Sequence, residues 1–143
     1  MFNTDHLHPM IVHFPVALIF VGFFAEIGSL FFKSEKCLSK TGLYLMILGA
    51  LAAVAAWLSG QLFTDHPYDR DFLMVFEKHK TGALVTMVVM IIGSLLRIWL
   101  IANKKEETRL KWVVFGLYLF GFVAVSFTGF IGGVMVYNFL VNP

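Results

Sequence analysis

Four apolar runs, at about residues 9–32, 41–63, 81–102 and 110–141, make up most of this chain. A bilayer's hydrocarbon core takes about 20 consecutive apolar residues per helical span, so each run is long enough to cross once. With 59% hydrophobic and 14% charged residues, against about a quarter charged in a soluble domain, lipid is the expected solvent for most side chains. The expected fold is all-α: one transmembrane domain over residues 1–143, an integral membrane four-helix bundle running up-down-up-down.

Several function classes recede at once. The formal charge is only +2, and the Lys and Arg residues are scattered over loops and helix ends, so a nucleic-acid partner is disfavoured. Cys37 is the sole cysteine, which excludes an intrachain disulfide or a multi-cysteine metal site. The first run follows Asp5 with no Lys or Arg before it, so it reads as a retained span rather than a signal peptide.

Charge also orients the spans. Residues 33–40 carry three Lys against one Glu, and residues 97–111 carry three Lys and two Arg against two Glu. Because Lys and Arg excess marks cytoplasmic loops, the expected arrangement is a multi-pass protein of the bacterial inner membrane. Both termini and the middle loop then face the periplasm. Pro15 falls inside the first span and is expected to loosen its opening turns. The fourth run is longer than a bilayer requires and should tilt, protrude or break, with Gly129, Gly132 and Gly133 marking the place. Those glycines allow close approach by a neighbouring helix or a flat ligand.

His6, His8, His13, His66 and His79 all map to the outward side in this topology. An ionisable side chain inside a span is a functional hypothesis by default, and His13 sits about one turn into the first. Gly82 and Ala83 follow His79 by three and four residues, on the same helical face, where their small size leaves room beside the ring. Spans one and three enter from the same side, so His13 and His79 are expected to face each other. Two facing imidazoles suit axial ligation of haem iron; an equally open reading is that these histidines only close the bundle. His8 and His66, with His6 and Asp65 nearby, offer a second possibility, a nitrogen and oxygen site for a Zn, Cu or Fe ion. His8 and His13 lie five apart, about 140° around a regular helix, so one metal cannot take both as neighbours on one face. Glu26 is expected near the inner interface, and Arg97 is expected to reach toward the cytoplasmic headgroups. Lys78 and Lys80 flank His79, where haem propionates or lipid phosphate would suit them.

The stretch His8-Pro9-Met10-Ile11-Val12-His13-Phe14-Pro15-Val16-Ala17-Leu18 resembles the opening helix of bacterial membrane proteins grouped as domain-of-unknown-function family twenty-two thirty-one. The resemblance continues at His79 and at Gly132-Gly133 followed by Val136-Tyr137. It implies a four-helix membrane protein loosely similar to di-haem b-type cytochromes. It also implies a role for His8, His13, His79, Gly132, Gly133 and Tyr137. The family often carries another histidine just after this last segment, where this chain has Asn138-Phe139-Leu140.

The expected function is therefore a b-type haem-binding membrane electron carrier. His13 and His79 are the axial ligands, with His8 or His66 as substitutes and Gly82, Gly132 and Gly133 beside the cofactor. A periplasmic cytochrome or a quinone is the partner, and a homo-oligomer is compatible. The alternative is a non-redox membrane module with an outward histidine metal site or a structural or assembly role. A catalyst is less expected, since no motif has catalytic spacing.

Overall fold

The computed structural model describes residues 7–63 and 70–141, and these form helices joined by short turns, with no strand among them. The helices are α1 (Leu7–Ile11), α2 (His13–Phe31), α3 (Lys36–Phe63), α4 (Arg70–Ala102) and α5 (Leu110–Met135), followed by a π-helical turn at Val136–Val141. Four segments are long and apolar enough to cross a membrane: His8–Phe31, Lys36–Leu62, Phe72–Ala102 and Leu110–Asn138.

The boundaries differ from the expected spans for identifiable reasons. Within the first span α1 passes into α2 at Val12, which keeps helical φ and ψ and gives its N–H to the His8 carbonyl at 3.1 Å. Pro15 has no N–H to give the carbonyl four residues back, and that residue is Ile11, the last of α1. The imidazole of His13 compensates nearby, its Nδ1 donating to the Pro9 carbonyl at 2.6 Å. The helix that carries the third apolar run begins well before residue 81. Residues 70–80, read from their charges as loop, are helical, with Phe72, Phe76 and His79 recurring at the three- and four-residue spacing of one face. Its 33 residues extend about 50 Å, so α4 projects beyond the hydrocarbon. The fourth helix passes through Gly129, Gly132 and Gly133 without a break and changes its hydrogen-bond pattern only after Met135. There the Val136 N–H is shared between the Gly132 and Gly133 carbonyls.

The four long helices contact one another in a ring, α2 with α3, α3 with α4, α4 with α5 and α5 with α2, while α1 leans on α3. Their buried centre holds Ile19, Phe23, Met46, Ala50, Met90, Val114, Tyr118 and Val125. Phe23 stacks on Phe122 at 4.8 Å between ring centroids, and Phe20 lies 4.5 Å from Phe122. The perimeter is apolar as well: Phe14, Leu51, Leu95, Phe127 and Phe130 are all exposed. Such a surface is a liability in water and the expected one against acyl chains.

Polar contacts define the two ends. At one, the start of the first span meets the end of the second, and the start of the third meets the end of the fourth, through His8–Ser59 and His79–Thr128. At the other, Arg97 gives one nitrogen to Glu26 Oε2 at 2.6 Å and another to the Ser39 carbonyl and hydroxyl at 3.1 and 3.2 Å. Arg97 thus turns inward to a carboxylate across the bundle instead of reaching to headgroups. The pair is largely shielded, with 11% and 15% of the two side chains exposed.

Candidate functional site

The histidine end brings together two imidazoles, those of His8 and His79. Their ring centroids are 6.5 Å apart and their planes stand at 87°. His8 comes from α1, whose packing on α3 carries it to Ser59. The Ser59 hydroxyl donates to its own helix at the Ala56 carbonyl, 2.8 Å away. Having one proton, it accepts from His8, so Nδ1 of His8 is the donor across 2.8 Å. On α4, His79 Nδ1 meets the Thr128 carbonyl at 3.1 Å. A carbonyl only accepts, so this nitrogen also carries the proton. Both rings are therefore Nδ1–H tautomers when neutral, and each Nε2 keeps its lone pair, with no hydrogen-bond partner among the described residues. Metal-ligating histidines are commonly held this way, one ring N–H given to a carbonyl or similar acceptor and the other nitrogen left to bind.

The two rings border one small cavity of about 30 Å³, whose other walls include Ala56, Gly60, Phe76, Lys80 and Ala83. That volume has room for about one or two water molecules. Lys80 brings a positive charge to the wall, but its ammonium lies 3.6 Å from Glu77 and over the Phe76 ring. A porphyrin is a ligand of the class that takes pockets of some 300 Å³ or more. The glycines expected beside such a cofactor are already filled. A Cβ at Gly60 would lie 3.0 Å from His8 Cε1, one at Gly132 would lie 3.2 Å from His79 Cε1, and one at Gly82 would run into the Thr128 hydroxyl. As these side chains are packed, haem does not fit between His8 and His79.

The remaining sequence candidates fall elsewhere. His13 is exposed and committed to Pro9, and the imidazole that stands beside His79 is that of His8. Gly82 serves the packing of α4 on α5 rather than leaving room beside His79. Gly133 is exposed, with nothing within 4 Å of the place a side chain would take. His6, His66 and Asp65 lie outside the described residues. Among the described residues no group of three or more His, Cys, Asp or Glu converges. Ser59 and the Thr128 carbonyl were not anticipated. A lone serine near the end of an apolar run was the only available hint of the first, and a backbone carbonyl leaves no mark in sequence.

The sequence model of a family described as "Predicted membrane protein (DUF2231)" matches residues 4–142. No curated protein and no solved structure matches the chain.

Proposed function

The chain belongs to the DUF2231 family of membrane proteins, and from that premise we propose that it is a membrane module that binds a copper ion between Nε2 of His8 and Nε2 of His79. The observation that carries this reading is the pair of hydrogen bonds at Nδ1, which orient two neighbouring rings and leave both Nε2 atoms available. The ring separation bears on which ion. With metal–nitrogen bonds of about 2.0 Å, two imidazoles on one ion place their centroids about 6.3 Å apart when collinear and about 5 Å apart at a tetrahedral angle. The observed 6.5 Å is slightly longer than the collinear value, so a shared ion calls for an almost straight nitrogen–metal–nitrogen angle and a small approach of the two rings. Imidazole suits Zn, Cu, Fe and Ni alike; of these, copper in its monovalent state accepts two nitrogen ligands in line, whereas a closed zinc site takes four ligands. Two protein nitrogens leave the ion open to exchange, which fits holding and handing over metal better than permanent structural binding.

The basic segments around Lys33–Lys40 and Lys104–Lys111 lie at the opposite end from the imidazoles. By the positive-inside rule, the site then opens toward the non-cytoplasmic face, the periplasmic side of a bacterial inner membrane.

The test is copper binding by the full-length protein in detergent, measured by competition with a chromogenic chelator and by elemental analysis. About one ion per chain is expected, lost in His8→Ala and in His79→Ala and kept in His13→Ala. Wild-type binding that is absent, or unchanged in the first two variants, defeats the reading. A Soret band that requires His13 and His79 would establish haem ligation in its place.

A further inference from the structure

On the outer surface of the bundle, apart from the imidazoles, α4 and α5 leave a groove of about 530 Å³. Its polarity changes along its length. Glu77, Lys78 and Thr81 lie at one end, and Val85, Phe120 and Val123 lie beyond them. Of the two charges at the polar end, Glu77 is answered by Lys80 at 3.6 Å. Lys78 is exposed and has no carboxylate within ion-pair distance among the described residues. The groove is thus headed by a cation and walled by hydrocarbon. From Lys78 to Val85 it follows about 10 Å of helix. Phe120 and Phe127, two turns apart on α5 and both more than half exposed, stand up as one wall. A slot of this kind takes an extended chain, whereas a second helix, 10–12 Å across with its side chains, would ride on the two rings.

We propose that this groove is a specific phospholipid site, with an anionic headgroup against Lys78 and one acyl chain lying along Val85, Phe120 and Val123. Headgroup attraction to one interfacial lysine is worth about 1 kcal/mol, or about fivefold in affinity. The apolar slot supplies the remainder and sets the chain's position. This site is independent of the copper reading.

Native mass spectrometry tests it on the full-length protein released from nanodiscs of mixed phosphatidylglycerol and phosphatidylcholine. One lipid per chain is expected to survive delipidation, with phosphatidylglycerol preferred. Lys78→Gln should reduce that preference about fivefold, while Ala124→Phe, which fills the groove, should abolish retention of either lipid. Lys104→Gln, in the turn beyond the far end of α4, should change neither. Thermal melting of each variant shows whether it is folded, and a folded Ala124→Phe that still retains its lipid overturns the proposal. So does an unchanged preference in Lys78→Gln, or a wild-type dimer that covers the groove and carries no lipid.

Discussion

Ser59 stands between the His8 imidazole and the backbone of α3, accepting from Nδ1 and donating its own O–H to the Ala56 carbonyl. If His8 binds metal through Nε2, this relay fixes the tautomer and the ring's direction. Ser59→Ala removes it without touching either proposed ligand. Loss of such an outer contact commonly costs 10–100-fold in metal affinity, and chelator competition should read a change of about that size. An unchanged affinity would mean that the ring is held by packing alone. Ser59→Thr, keeping the hydroxyl, should recover most of the loss.

Glu26 and Arg97 join α2 to α4 across the bundle, with both side chains largely out of solvent. Removing one partner strands the other's charge, an effect of about 3 to 5 kcal/mol for buried pairs. Arg97→Met alone should therefore lower stability by several kcal/mol, read as a fall in the denaturation midpoint in mixed micelles. Replacing both charges, as Glu26→Leu with Arg97→Met, should recover much of that. A double variant no better than the worse single one would mean that the pair is favourable in its own right.

The four spans were readable because a bilayer imposes a length of apolar sequence that little else does. The identity of the second imidazole was not readable in the same way. His8 and His13 lie on different faces of the opening turns, and choosing between them requires knowing which face meets α3. That depends on how α1 packs on α3 and on contact with Ser59, 51 residues away. Arg97 shows the same limit. At the end of an apolar run its local sequence suits an extended reach to headgroups, and only the carboxylate on another helix turns it inward. Small residues near His79 looked like space, yet Gly82 is occupied by Thr128 from α5. Sequence shows where a side chain is small and leaves open which neighbour has taken the room.

Gly116 provides a control for the other glycines. Nothing lies within 4 Å of the place its Cβ would occupy, and alanine is the better helix former by about 1 kcal/mol. Gly116→Ala should leave metal and lipid binding unchanged and raise the melting temperature slightly. A fall in stability would indicate that the exposed face of α5 at Gly116 is covered in the native membrane.

Gly22 is the most demanding of these positions, because a Cβ there would collide with the Tyr118 hydroxyl and lie 2.7 Å from Leu45 Cβ. Tyr118 is fully buried in the core, and its hydroxyl has no hydrogen-bond partner among the described residues, so the phenol cannot retreat to water. Overpacking of this sort costs about 1–3 kcal/mol, and Gly22→Ala should destabilise by that much. The same substitution in a Tyr118→Phe background should cost less, since the clashing oxygen is gone and only Leu45 remains to be displaced. A double-mutant cycle measures the difference as a coupling between the two positions. Equal costs in both backgrounds would place the strain entirely at Leu45 and show that the Tyr118 hydroxyl does not rest against α2.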